Sequence, residues 1–153
     1  MRRDTFMKIF NFISFFLITG FYQFVYGQSA AVEHGQLTVI IDGIENDQGK
    51  VLVALCNSEK DFESSGNAFR MATLDVNDKK ASVTFDDLQA AEYALKVFHD
   101  ENENGELDTN FLGIPSENYG FSNNARGSFG PASWEDAKFF LKLPADTVNI
   151  LVE

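Results

Sequence analysis

The sequence predicts an all-β fold, an antiparallel two-sheet sandwich of roughly six to eight short strands with one long structured loop. Three observations carry that expectation. Apolar and polar residues alternate at a period of two along several short segments, those segments are separated by clusters of Gly, Asn, Asp and Pro, and helical patterning never exceeds a single turn.

Taken in chain order, Leu37, Val39 and Ile41 alternate with Gln36, Thr38 and Ile40 and stop at Asp42-Gly43. The cluster Asn46-Asp47-Gln48-Gly49 turns the chain into the apolar run 51–56. Residues 58–64 have the length of one helical turn, and a weaker strand pattern covers 69–76. Ala81, Val83 and Phe85 form the next alternation, followed by Tyr93, Leu95 and Val97. Ser133-Trp134-Glu135-Asp136 resembles a capping box for a second short turn. Phe139, Leu141 and Leu143 alternate once more, and 148–152 follow Pro144 as a final strand. Short alternating strands of this kind have one face on the core and one in water. Residues 99–135 stand apart as a long stretch of Asn, Gly and aromatics with little strand pattern, and long ordered loops are usually functional or specifically held.

The first 27 residues differ from the rest. Arg2, Arg3 and Lys8 make a basic head, an apolar stretch runs from Ile9 to Tyr26, and Val25 and Gly27 place small residues before Gln28. These are the three parts of a secretory signal peptide, cleaved ahead of Gln28, with Ser29 and Ala31 offering a second site. The alternative is a retained anchor, since ~18 apolar residues span a bilayer. Asn11, Ser14, Thr19 and Gln23 interrupt the stretch and favour cleavage. The expected organisation is therefore a signal peptide at 1–27, a flexible start at 28–35 and one domain at 36–153. After cleavage the mature chain is expected to have no membrane span and to be exported, whether periplasmic, on the cell surface or extracellular.

The whole chain carries a net charge of −11. Loss of residues 1–27 removes three basic residues and one acid, leaving 9 Lys+Arg against 22 Asp+Glu and a net charge of −13. Such a surface repels nucleic acid and anionic membranes and attracts cations and basic partners. Cys56 is the single cysteine, so no intramolecular disulfide forms, and its apolar neighbours point to a core residue rather than a reactive thiol.

The richest chemical signal is Asp100-Glu101-Asn102-Glu103-Asn104-Gly105-Glu106-Leu107-Asp108. Side-chain oxygens fall at positions 1, 3, 5 and 9 (Asp100, Asn102, Asn104, Asp108), Gly105 at position 6 permits the sharp turn, and the Glu106 carbonyl fits position 7, as in an EF-hand type calcium loop. The pattern departs at position 12, which is Phe111 instead of a bidentate Glu, and no helix follows. The missing oxygens must come from elsewhere, with Glu117, Glu135 and Asp136 as candidates. Calcium is the expected cofactor, bound weakly at about 10⁻⁴–10⁻³ M. The competing reading is a polar hairpin turning at Asn104-Gly105 with its acids in water.

After this loop come Gly-Ile-Pro (113–115), Tyr-Gly-Phe-Ser-Asn-Asn (119–124), Phe-Gly-Pro (129–131) and Trp-Glu-Asp-Ala (134–137). With the 100–108 loop, and over about residues 36–152, these motifs in this order resemble the secreted bacterial proteins grouped as domain of unknown function 2141. The resemblance implies a transthyretin-like β-sandwich, exported, with no established activity.

Two uses of the aromatic loop compete. Tyr119, Phe121, Ser122, Asn123, Asn124, Arg126 and Trp134 form a possible surface for a protein, peptide or glycan. Alternatively the aromatics bury themselves and the Asn side chains bond loop backbone. The leading functional expectation is a non-catalytic, calcium-stabilised envelope module. The alternative is an envelope hydrolase using Ser122 and His99, although the sequence around Ser122 lacks the second Gly of a nucleophile elbow. A third reading is an accessory module, with Phe85-Asp86-Asp87-Leu88 marking the strand entry.

Overall fold

The structure is a computed structural model and describes residues 33–153. The expected signal peptide and most of the expected flexible start lie outside the described residues. The first strand, β1 (His34–Asp42), already includes His34 and Gly35, which pair with Gln89 and Leu88. The strand therefore starts two residues ahead of Gln36, because the ladder continues on the N-terminal side of Leu37, the first apolar position, and the His34 imidazole meets the Asp87 carboxylate at 2.6 Å.

The remaining elements follow the alternation closely. They are β2 (Lys50–Cys56), α1 (Glu59–Glu63), β3 (Arg70–Asp75), β4 (Ala81–Gln89), β5 (Glu92–Asp100), β6 (Tyr119–Phe121), a 3-10 turn at Ser122–Asn124, α2 (Trp134–Ala137), β7 (Phe139–Phe140) and β8 (Ala145–Leu151). One sheet has the order β4-β1-β8 and the other β3-β2-β5-β6, with β7 also pairing to β5. The two-sheet sandwich is the architecture the sequence predicts. One ladder differs in direction, since β1 and β8 run parallel, Gln36 opposite Ala145 through Asp42 opposite Leu151. Among the described residues no helix is long and apolar enough to cross a membrane.

The core lies between the inner faces. Leu37, Val39 and Ile41 of β1 meet Val51, Val53 and Leu55 of β2 and Leu95 of β5, all essentially without solvent access. Successive strand residues point to opposite faces, so the partners Lys50, Leu52, Ala54 and Cys56 on β2 and Asp100, Phe98, Lys96 and Ala94 on β5 share the outer face. At one end of that face a second apolar cluster forms from Cys56, Phe62, Ala94, Phe121, Trp134 and Ala137. It is roofed by the two short helices, each capped by its preceding serine: Ser58 Oγ accepts from the Asp61 N–H and Ser133 Oγ from the Asp136 N–H. Lys96 crosses the same face and donates to the carbonyls of Phe62 (2.8 Å) and Ser64 (2.7 Å), holding the end of α1.

The two sheets are joined along both sides. Tyr119 and Glu153 exchange backbone hydrogen bonds, which ties β6 to the segment after β8. Gly120 makes this approach possible, because a Cβ there would lie 2.6 Å from the Leu151 carbonyl oxygen. On the opposite side the Arg70 guanidinium of β3 donates to the carbonyls of Asp86 and Asp87 on β4. This framework leaves the 100–118 segment projecting from one end of β5.

Candidate metal centre

Asp100 is the last residue of β5 and only 2% exposed. Its Oδ1 accepts from the Asn104 N–H at 3.1 Å and its Oδ2 from the Gly105 N–H at 2.8 Å. Two further side chains repeat the motif at spacing two: Asn102 Oδ1 accepts from the Asn104 N–H (3.0 Å), and Asn104 Oδ1 from the Glu106 N–H (2.8 Å). The chain curls around these side chains with Glu103 and Gly105 at positive φ, 59° and 81°. No strand ladder flanks Asn104-Gly105 among the described residues, so the segment is a wound polar loop rather than a two-residue hairpin.

The loop closes on Asp108. The carboxamide nitrogens of Asn102 and Asn104 donate to its two oxygens at 2.6 and 3.1 Å. Glu117 completes the closure from outside the nine-residue motif, its Oε1 accepting from the Glu101 N–H (3.1 Å) and its Oε2 from the Asp108 N–H (3.0 Å). Of the three acids expected to supplement the loop, the structure brings only Glu117 to it. Glu135 and Asp136 sit in α2, where Glu135 pairs with Lys138 and Asp136 bonds Ser133. Lys138 also reaches Glu92 at the start of β5, eight residues and about 26 Å along the strand from Asp100.

Among the described residues no three His, Cys, Asp or Glu side chains form a metal-ready group. The loop instead offers carboxylates of Asp100, Asp108 and Glu117 mixed with carboxamides and the Glu106 carbonyl. Such all-oxygen, amide-containing sets suit a hard cation. In the present arrangement the two carboxamides show NH₂ to Asp108, so a cation at the centre requires both to turn their oxygens inward. Lys50, the register partner of Asp100 on the outer face, is committed to Asp75. That hydrogen bond and the Asp75 charge hold the Lys50 ammonium above its ordinary range, with a smaller contribution from Glu103.

The backbone under the loop is equally specific. Gly49 has φ +69°, and a Cβ there would lie 2.0 Å from the Asp100 carbonyl oxygen. His99 points to the inner face, fully buried, with Nε2 2.6 Å from the Gln48 carbonyl. A carbonyl only accepts, so Nε2 carries the proton. Nδ1 has no hydrogen-bond partner and lies 3.7 Å from Glu101 Oε1.

This geometry corrects the hydrolase alternative. The Ser122 hydroxyl is fully buried, donates to the Ala137 carbonyl at 2.6 Å and accepts from the Leu95 N–H at 2.9 Å. It is a staple between β5 and α2. Leu95 is four residues, about 13 Å along the strand, from His99, so nucleophile and base are not brought together.

The exposed aromatic surface is corrected as well. Phe121 and Trp134 are buried in the second core, where both rings pack on Phe62, and Tyr119 lies half-buried against Phe121. Asn123 donates to the carbonyls of Asp136, Ala137 and Lys138, and Asn124 Oδ1 accepts from the Leu151 N–H. Arg126 pairs with Glu153. Burial of the Tyr119, Phe121 and Trp134 rings is worth more than presenting them to water, so these parts of the loop fold inward and its amides satisfy backbone groups, while Phe129 stays in solvent. Cys56 belongs to the same cluster, and burial pushes its thiol above the ordinary range.

The chain matches the family model described as an uncharacterized protein conserved in bacteria (DUF2141) over residues 39–149. The chain belongs to the DUF2141 family. The match takes in residues of every strand, the Asp100–Asp108 loop and the Ser122 staple, leaving out the first half of β1 and the last two residues of β8. No curated protein and no solved structure matches this chain.

Proposed function

We propose that this DUF2141 chain is an exported, non-catalytic β-sandwich module whose 100–117 segment is stapled by calcium, and that it binds a partner or supports an assembly in the cell envelope. The observation that carries the reading is the arrangement of Asp100, Asn102, Asn104, Asp108 and Glu117 around one tight loop at a buried strand end. A cation there would neutralise carboxylates that have no lysine or arginine salt bridge among the described residues. Export rests on the basic head, apolar middle and small-residue exit of residues 1–27. Extracytoplasmic calcium is abundant enough to fill a weak site, and the site needs no catalytic partner to be useful.

Calorimetric titration of the mature chain, beginning at Gln28, tests the metal directly. The expected result is one calcium site of about 10⁻⁴–10⁻³ M, absent with magnesium and lost in the Asp100→Ala/Asp108→Ala variant. Equal binding by that variant, or no binding by the parent chain, contradicts the reading.

A further inference from the structure

Beyond the polar loop the chain makes a small closed finger. Thr109 and Pro115 form an isolated bridge, the Asn110 N–H donates to the Ile114 carbonyl at 2.8 Å, and the Gly113 N–H donates to the Asn110 carbonyl at 2.9 Å. Asn110 Oδ1 accepts from the N–H groups of Leu112 (2.9 Å) and Ile114 (3.2 Å), so the tip is wound around this one side chain. Its base is held by the Ser116 N–H to the Asp108 carbonyl at 2.8 Å. On this braced scaffold stand Phe111, Leu112 and Ile114, 95%, 68% and 55% exposed.

Single exposed apolar residues are ordinary, but three within four positions at one loop tip expose apolar area on the order of 300–400 Å², the size that marks interaction sites. A patch already fixed in shape loses little conformational freedom on docking. Its electrostatic setting narrows what it can meet. Residues 97–125 contain Asp100, Glu101, Glu103, Glu106, Asp108 and Glu117 and no Lys or Arg. Glu101, Glu103 and Glu106 are exposed beside the finger. A bound calcium ion would cancel two of these six charges and leave the sign unchanged. An anionic lipid surface and a second copy of this acidic chain are both repelled by such a collar.

We infer that residues 109–115 are a docking finger for a protein partner that offers an apolar pocket bordered by lysine or arginine. Phe111 is the anchor, Leu112 and Ile114 flank it, and the carboxylate collar pairs with the basic rim. Complementary charge speeds encounter and fixes orientation, while the buried aromatic supplies most of the affinity. The inference deepens the proposed binding role and rests on it, but the finger is closed by its own hydrogen bonds and does not require the metal.

The test uses the full chain, expressed in its source cells with benzoylphenylalanine in place of Phe111 and irradiated. Phe111 faces solvent, so this change leaves the fold intact. The expected result is a discrete crosslinked protein whose attached peptide, identified by mass spectrometry, carries Lys or Arg beside apolar residues. Its yield should fall at least about fivefold when Glu103→Lys and Glu106→Lys are added, and likewise in an envelope preparation irradiated at about 0.5 M rather than 0.1 M salt. Crosslinks to lipid, to a second copy or to no protein overturn the inference, as does a yield indifferent to both charge and salt. A crosslink without a calcium response in melting overturns the staple alone, and a calcium response without a crosslink overturns the finger alone.

Discussion

The Asp100 carboxylate accepts the Gly105 N–H at 2.8 Å, joining the buried end of β5 to the tightest point of the loop that follows it. The same carboxylate takes the Asn104 N–H, so one side chain in a nearly dry position organises the whole turn. Asp100→Ala leaves the Gly105 N–H without a partner and the Asn104 N–H with Asn102 Oδ1 alone, and is expected to destabilise the chain by about 1–3 kcal/mol. Urea unfolding in the presence of chelator measures this without any contribution from metal.

Ser122→Ala separates a staple from a nucleophile. The variant leaves the buried Leu95 N–H without its acceptor, while the Ala137 carbonyl keeps the Asn123 carboxamide at 3.2 Å. A loss of about 1–3 kcal/mol is expected, read as a lower urea midpoint with unchanged slope. Any hydrolytic activity found in preparations of the chain should persist undiminished in this variant.

The Lys50–Asp75 pair gives a pH dependence with a definite sign. The hydrogen bond and charge of Lys50 hold the Asp75 carboxyl below the ordinary range, so its contribution is complete above the unfolded value and is lost as pH falls through the folded one. Lys50 is raised, so its share is complete below the unfolded lysine value and is lost as pH rises through the folded one. Asp75→Asn should therefore lower the urea midpoint slightly near neutral pH, with the difference shrinking progressively as pH falls below the ordinary carboxylate range. The effect is small because both groups stand in water.

The sequence carried the strands and the loop unequally, for physical reasons. Alternation marks which residues face the core, and it is correct even at Phe139, Leu141 and Leu143, which are half-buried or buried although only Phe139–Phe140 form a ladder. Alternation has the same period in either strand direction, so the parallel pairing of β1 with β8 left no trace in it. β6 was hidden because three residues, Tyr119–Phe121, become a strand only through β5 on one side and Glu153 on the other. The loop side chains at 100, 102, 104 and 108 were legible because their partners are local. Glu117 could not be ranked above Glu135 and Asp136, since its arrival depends on the finger at Thr109 and Pro115 folding back. Tyr119, Phe121 and Trp134 left two readings open because composition records that a ring is present but not which way it turns.

Thermal unfolding of the mature chain, first with excess chelator and then with about 5 mM calcium, is the most direct test of the calcium staple. A site of 10⁻⁴–10⁻³ M adds about 1–2 kcal/mol at that concentration. For a domain of this size the expected rise in Tm is roughly 3–8 °C, absent with magnesium and absent in Asp100→Ala/Asp108→Ala. An unchanged Tm, or a rise that survives in the double variant, contradicts the staple and returns residues 100–108 to a polar loop held by its own hydrogen bonds.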